Sequence, residues 1–578
     1  MRNVAEHARR LGVEIEAPIV LDAPDDHPWD AAADLVVVGL GGAGVAAAVE
    51  GLERGLTVIA VDRYEGGGSS AANGGVYYAG GGTVIQHEAG ETDTPEDFYN
   101  YLKIEAGDVV SDETIRRFVA ESSATLDWLM GHGAKFNSTV WKQKASYPPL
   151  DCFLYHPDNS LVATYRARAK PAARGHRCHV RNGKKAWGLG IGIYGPLRDA
   201  ALRMGMIFHR HSEAQQIVRD RSGQVIGIKV LSIPEGTRAA RDFTRFISRA
   251  NWLFALLPPS FPLAALTYGL ANKYLAKARA IEQYGRRERW IRARKGVVLS
   301  AGGYIINPRM VAEYAPAYVR GLPNGTLGDT GSGILLGMSC GGATDLMGRI
   351  SAWRFINPPH VWGQAIAINA RGERFVDETV YGATMGEHIG ERQGGVAWLV
   401  YDSASRRLAF RQAMDRRLVP FQRDITLVNL LFNSRKASTL AELARQIGAD
   451  PQVLEATVQR YNRAARGEEP DSFGKELVDM RPIAIGPFYA MDLSLDSRFL
   501  PISTMSVGGL RVDEASGLVL DSEDHPIAGL YAAGRTAVGV ASQTYVSGLS
   551  YADCIFSGRR AARHMAAANT ALRTLSIT

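Results

Sequence analysis

Cysteine is scarce in this chain. Its 578 residues include only Cys152, Cys178, Cys340 and Cys554. None forms a CxxC pair or a zinc spacing, which excludes a disulfide scaffold and predicts no metal site. A CxxCH haem signature and an iron–sulfur cysteine cluster are also missing, so no second redox centre is written into the sequence. The amino terminus lacks the marks of an export signal, because Arg9 and Arg10 lead into Glu14 and Glu16 where an apolar run would be needed. A reduced protein of the cytoplasm is expected. A clean spanning segment is lacking as well. Arg249 and Lys273 bracket 23 uncharged residues, but Pro258, Pro259 and Pro262 interrupt them where a spanning helix needs its backbone donors.

What is present is the composition of a folded, multidomain chain: 46% hydrophobic, 22% charged and 62 glycines. The formal charge of +7 is unevenly placed. Residues 237–295 carry thirteen Lys or Arg against Asp242, Glu282 and Glu288, so the rest of the chain is slightly acidic. Basic flanks around an apolar hairpin, with Trp252 and Trp290 near its edges, predict two helices dipping into one leaflet of an anionic membrane; a protein–protein interface is the competing reading. Nucleic-acid binding is not expected, since the basic residues surround an apolar hairpin and do not interleave with stacking aromatics.

Residues 34–62 read as a βαβ unit. Leu35–Val38 is a buried strand, Ala43–Arg54 has helical composition, and a second strand, Thr57–Val61, ends at Asp62. Gly39, Gly41 and Gly44 stand between strand and helix in GxGxxG spacing. Missing side chains there permit a tight turn, approach of a pyrophosphate and close helix packing, and helix amides then hold the phosphates. Gly42 and Ala43 share this turn, and Asp62, with Arg63 beside it, is placed to bind a ribose hydroxyl pair. The following EGGGSSAANGGVYYAGGG, residues 65–82, separates FAD from NAD. Its amides and the hydroxyls of Ser69 and Ser70, with Gly68, Asn73, Gly74 and Gly75, can line a flat isoalloxazine.

This loop resembles that of the flavoprotein family of fumarate reductase, succinate dehydrogenase and 3-ketosteroid dehydrogenases. KGVVLSAGGYIINPRM at 295–310, GDTGSGILLG at 328–337 and GLYAAGRTAVG at 529–539 extend the resemblance to nearly the whole chain. It implies FAD contacts at Ala301, Gly302, Gly303, Asp329, Gly534, Leu549 and Ser550. Covalent-flavin members carry a histidine in the glycine loop, and none occurs at 65–82, so FAD is expected to be non-covalent. The implied fold is α/β. A discontinuous Rossmann-like FAD domain, 34–338 and 493–570, encloses an α+β substrate-capping domain, 339–492. The membrane-associating insertion is 237–295, and 1–33 is a lead-in that packs on a domain without founding one.

The cap contains the family motif GxRFVxE as Gly372, Arg374, Phe375, Val376 and Glu378, with Tyr381 three residues further on. An aromatic hydroxyl here suits a neutral ketone better than a dicarboxylate. Tyr545 and Ser547 stand in Tyr-Val-Ser-Gly-Leu-Ser, which resembles the Tyr-x-Ser pattern of 3-ketosteroid 4-dehydrogenases and not the Tyr-Pro-Gly-Pro-Gly of the 1-dehydrogenases. The resemblance implies a 3-oxosteroid 4-dehydrogenase. Tyr545 and the Gly548 amide would polarise the 3-keto oxygen, Tyr381 relayed by Ser547 would take the C4 proton, and C5 would send hydride to flavin N5. A free tyrosine titrates at about 10, so its surroundings or a relay must assist. Implied partners are the steroid, an external acceptor such as a quinone, and the inner membrane face through residues 241–290. Alternatives are 1-dehydrogenation, reduction of a fumarate-like acid, and a flavin-binding interaction protein without turnover.

Overall fold

The computed structural model describes residues 2–180, 189–257 and 263–575. A nine-stranded sheet occupies the centre. In chain order its strands are β1 (Ile19–Leu21), β2 (Ala31–Val38), β3 (Val58–Val61), β4 (Ile207–His209), β5 (Ser212–Asp220), β6 (Val225–Ser232), β7 (Arg287–Leu299), β8 (Leu518–Leu520) and β9 (Pro526–Ala532). Across the sheet the order is β1-β5-β6-β7-β2-β3-β4, with β9 pairing both β7 and β8. β2, β3 and β4 are parallel, as is β7 against β2. Alternate residues of β2 face two different cores: Leu35 and Val37 lie in one, Val36 and Val38 in the other. That two-sided burial is why the strand reads as a continuous apolar run.

Helix α1 (Gly42–Glu53) follows the turn after β2. It packs against the carboxy-terminal helix Leu549–Leu575 so closely that a Cβ on Gly558 would lie 2.2 Å from the Ala43 carbonyl oxygen. The first 33 residues do more than lean on this body. They add β1 as an edge strand parallel to β5 and bury Ala8, Leu11, Val13 and Ile15, and β2 itself begins at Ala31.

The basic, apolar stretch folds as two helices that pack on each other, α2 (Arg238–Leu256) and α3 (Ala264–Gly285). Pro258, Pro259 and Pro262 lie outside the described residues. The expected boundary at 295 needs correction, because residues from Arg287 onward form β7, the strand at the middle of the main sheet. Trp290 therefore does not flank a membrane hairpin; it packs on His27, with ring centroids 4.4 Å apart, and on Trp29. Arg289 and Arg292 on the same strand are paired with His209 and Asp25. Among the described residues, no helix is long and apolar enough to cross a membrane.

Between the two stretches of FAD-type sequence, Ile366–Ile368, Trp398–Asp402, Ser434–Ala437 and Phe488–Asp492 make a four-stranded sheet. Helices Leu440–Ile447 and Pro451–Ala465 bury Leu443, Leu454, Val458 and Tyr461 in its core. Strand Ile350–Trp353 pairs with Ser503–Ser506, so this region is stitched to the sequence that follows it.

Candidate active site

A cavity of about 420 Å³ opens at the carboxyl ends of β2 and β3, where ligands of open α/β sheets bind. Gly39, Gly41, Gly42, Ala43, Asp62, Gly68, Ser69, Ser70, Ala301, Gly302, Asp329 and Gly534 all border it. The first and last glycines of the turn are fixed by protein packing. Gly39 has φ +92°, and a Cβ there would lie 2.6 Å from the Ala301 Cα; one on Gly44 would lie 2.2 Å from the Gly39 oxygen. Gly41 differs. A Cβ on it would meet no protein atom closer than 3.9 Å, so packing does not explain the glycine, whereas a cradle for a pyrophosphate against the amino end of α1 does. The donor set therefore fits a dinucleotide.

The acids around the cavity have distinct tasks. Asp62 Oδ2 accepts from the Leu40 amide at 2.9 Å and Oδ1 from the Tyr64 amide at 2.8 Å, which leaves further lone-pair sites for a ribose. Asp329 is buried. Its carboxylate accepts from Ser69 Oγ at 2.6 Å, the Thr326 amide at 2.8 Å and Arg535 at 2.6 Å, and so ties three loops together at the cavity wall. Ser70 Oγ accepts from the Gly42 amide at 3.0 Å. Gly303, whose Cβ would lie 2.4 Å from Ser506 Oγ, and Gly75, whose Cβ would lie 2.6 Å from Cys178 Sγ, are packing glycines. Asn73 turns inward to accept from the Gly75 amide, and the Gly74 carbonyl accepts from Tyr147 Oη. Leu549 is fully buried at the start of the last helix, and Ser550 beside it is partly exposed. The guanidinium of Arg63 binds Glu213 and Glu282 and holds α3, and Arg63 also lines a smaller cavity of about 60 Å³ together with Gly39, Asp62 and Ala301.

A hydroxyl cluster stands beyond Arg535. Tyr545 packs on Trp353 with ring centroids 4.5 Å apart, and Tyr381 stands edge-on to Phe355 at 5.5 Å. Ser547 is the shared centre. Tyr155 Oη donates to its Oγ at 3.4 Å, and the same hydroxyl pulls the pKa values of Tyr155, Tyr381 and Tyr545 downward. Burial outweighs it at each. Tyr545 is pushed up to about 12, with Ser547, the Arg535 charge and the Gly548 amide acting against burial. Tyr381 is pushed well above the ordinary value, first by burial and then by Tyr545 and Tyr155. The protein surroundings thus disfavour a phenolate at Tyr381, so of the two expected aids, surroundings or a relay, only the relay remains. Its Oη is buried and hydrogen-bonds to none of the described residues.

The cluster is held by the family motif and by a second polar core. Glu378 accepts from Arg374, Lys475 at 2.8 Å and the Ala367 amide at 2.7 Å, and burial leaves none of these groups free for substrate. This pins the turn that ends at Tyr381, whose amide donates to Asn159 Oδ1 at 2.6 Å. A Cβ on Gly382 would lie 2.1 Å from Phe355. Gly548 has φ +88°, and its carbonyl accepts from the Tyr78 amide, which joins the cluster to the strand after the glycine loop. Arg354, the cation next to Phe355, donates to the carbonyls of Leu493 and Ser494, so it is no carboxylate anchor. His176 has Thr83 Oγ1 and the Arg174 carbonyl on its two ring nitrogens. Tyr155 was not singled out from sequence: it lies in the two-residue strand Leu154–Tyr155 without a motif, 392 residues from Ser547.

The family model described as FAD binding domain matches residues 34–548. The 3-oxo-5-alpha-steroid 4-dehydrogenase of Comamonas testosteroni is 35% identical over 92% of this chain and 98% of its own. The 3-oxosteroid 1-dehydrogenase of Mycolicibacterium smegmatis is 26% identical over 89% of this chain and 93% of its own. Among solved structures, the 3-ketosteroid-delta4-(5alpha)-dehydrogenase of Rhodococcus jostii RHA1, in complex with 4-androstene-3,17-dione, superposes with a TM-score of 0.78 at 28% identity, covering 95% of this chain and all of that one.

Proposed function

The chain belongs to the FAD-binding-domain flavoproteins that include the 3-oxo-5α-steroid 4-dehydrogenases, and on that premise we propose how its residues perform the reaction. It is an FAD-dependent oxidoreductase acting on the CH–CH group of a 3-ketosteroid, and it introduces the C4–C5 double bond. The observation that carries the 4-ene reading is the Tyr-Val-Ser-Gly sequence at 545–548, in which Ser547 accepts from Tyr155 and lies close enough to Tyr381 and Tyr545 to lower their pKa values.

In this reading, Tyr545 remains a phenol at neutral pH, since burial holds its pKa near 12, and it donates to the 3-keto oxygen. The Gly548 amide beside it reinforces that donor, and charge developing on the ketone is stabilised in a dry site. The C4 proton passes to Tyr381 as the phenol proton moves onto Ser547 Oγ, the Ser547 proton moves onto Tyr155 Oη and the Tyr155 proton leaves to water, so each hydroxyl ends as it began. A shared hydroxyl is what allows a tyrosine of high pKa to act, because no free phenolate has to persist. Bound FAD supplies the acceptor for the hydride that leaves C5. The glycine turn, Ser69, Ser70 and Asp62 hold and orient it, without a covalent bond to histidine.

Residues 34–338 and 493–570 then act as the FAD-binding part and 339–492 as the substrate cap. The hairpin, trimmed to 238–285, docks on the inner face of the cell membrane. Trp252, Leu256, Leu263, Leu266 and Leu270 are exposed along it, and Arg241, Arg245, Lys273 and Lys277 stand nearby. An external quinone reoxidises the enzyme.

Anaerobic addition of a 5α-3-ketosteroid should bleach the flavin spectrum, and proton NMR of the product should locate the alkene at C4–C5. An alkene at C1 alone would overturn the 4-ene reading. Bleaching by reduced-acid substrates but not by the steroid would overturn the steroid reading.

A further inference from the structure

The hairpin does more than project from the molecule. The cavity that holds the glycine turn is also bordered by Ile247, Ser248 and Asn251, all on α2. No sequence motif marks these residues, and a segment read only as a membrane attachment has no reason to reach the phosphate floor.

The seat of the hairpin is equally specific. Three consecutive residues, directly after the ribose-binding acid Asp62, grip it in three different ways. Arg63 binds Glu282 of α3 through two hydrogen bonds of 2.8 and 2.9 Å, and Glu213 and Arg286 complete a partly buried four-charge cluster. Tyr64 stacks on Phe243 of α2, with centroids 6.2 Å apart and planes 7° from parallel. Glu65 accepts from Thr244 Oγ1 of α2 at 2.5 Å and from His211 Nε2 at 2.8 Å. Ile247 packs into the same small core as Tyr64 and Phe243. The stretch from Asp62 to the glycine loop is thus attached on one side to the cavity and on the other to both helices. Asn251 lies seven residues beyond Thr244, about 10 Å further along α2 at the usual helical rise.

We propose that α2 is a wall of the FAD site. Ile247 closes over the apolar face of the adenosine diphosphate half, and Ser248 and Asn251 hydrogen-bond to its ribose or phosphate oxygens. Their uncharged side chains offer donors and acceptors without the desolvation cost of an ion. The hairpin then serves as a cofactor clamp at its base and a docking surface at its tip. FAD binding orders α2 at this wall. This inference rests on the FAD reading of the cleft and is independent of the membrane reading.

The test uses the full chain stripped of flavin, titrated with FAD and separately with ADP by calorimetry. Two lost hydrogen bonds of ordinary strength predict that Ser248→Ala/Asn251→Ala weakens both ligands about thirtyfold. Arg241→Gln/Arg245→Gln/Lys273→Gln/Lys277→Gln should leave both affinities unchanged while reducing sedimentation with vesicles of phosphatidylcholine and phosphatidylserine. Affinities for FAD and ADP unchanged in the Ser248/Asn251 variant would overturn the clamp. Failure of the parent chain to bind FAD at all would instead overturn the reading of the cleft. Should the double variant unfold without flavin, hydrogen–deuterium exchange on the unaltered chain decides: residues 244–251 gain protection on FAD addition if α2 is a wall, and unchanged exchange there refutes it.

Discussion

The phosphate floor and the tyrosine cluster are built by opposite means. The floor works by absence: Gly39, Gly41 and Gly44 keep side chains out of a turn where an added Cβ would strike backbone or fill the cradle. The cluster works by presence: Tyr155, Tyr381, Tyr545 and Ser547 bring hydroxyls into a place where burial, not charge, governs their chemistry. One region should fail when an atom is added and the other when an atom is removed. The sharpest break of that contrast is Tyr545→Phe. It deletes one oxygen from a ring whose packing on Trp353 survives, and loss of a preorganised donor lowers kcat by about 10²–10³. The FAD spectrum and affinity should not change. A variant with normal kcat, or one that loses flavin, would erase the distinction between the two regions.

The converse change is Gly44→Ala. Its Cβ would lie 2.2 Å from the Gly39 oxygen and 2.9 Å from Ser300 Oγ, so α1 must move away from the turn. Overpacking of this kind costs about 1–3 kcal/mol, and the shift falls on the amides that meet the phosphates. Calorimetric unfolding and flavin content of the purified protein should fall together. Ser547→Ala is the finer probe of the cluster. With that hydroxyl gone, Tyr381 loses its relay and kcat drops about fivefold, an ordinary hydrogen bond's worth. The flank of the pH–rate profile that reports the base should move to higher pH, because Ser547 is the hydroxyl that lowers the pKa of Tyr381. A fall in rate with the profile unmoved would assign Ser547 to packing alone.

The same contrast explains what sequence made legible. The floor is contiguous: strand, glycines, helix and acid follow one another within about thirty residues, so spacing alone reveals a local machine. The cluster is assembled from residues 155, 381, 545 and 547, and only those with a family motif beside them could be found. Tyr155 had none. Arg63 has a second task that sequence did not show: its partner Glu282 lies 219 residues further on, and only the folded chain brings them together. Trp290 looked like an interfacial anchor because the hairpin's end was set by composition; strand pairing with β6 and β2 ends it earlier, at Gly285. Charge and hydropathy report what a segment contains, and register decides what it touches.

The smallest effect belongs to the seam between floor and hairpin, at Glu65. Its hydrogen bond from His211, then those from Thr244 and the charges of His211 and Arg210, bring its pKa down to about 2 against the opposing effect of burial. A carboxyl whose folded pKa is depressed contributes stability that is complete above its unfolded value of about 4.3 and is lost as pH falls toward the folded value. The side chain is 43% exposed, so solvent screening reduces the contribution to about 0.5–1 kcal/mol. Glu65→Gln should therefore lower the thermal midpoint slightly at pH 7 and leave it unchanged near pH 2, with the difference closing between those limits. Because Glu65 anchors α2, the same variant should release flavin slightly faster at pH 7 while the kcat of the FAD-saturated enzyme stays at the parent value. A fall in kcat would mean that the seam reaches the tyrosines and that the two regions are not separable.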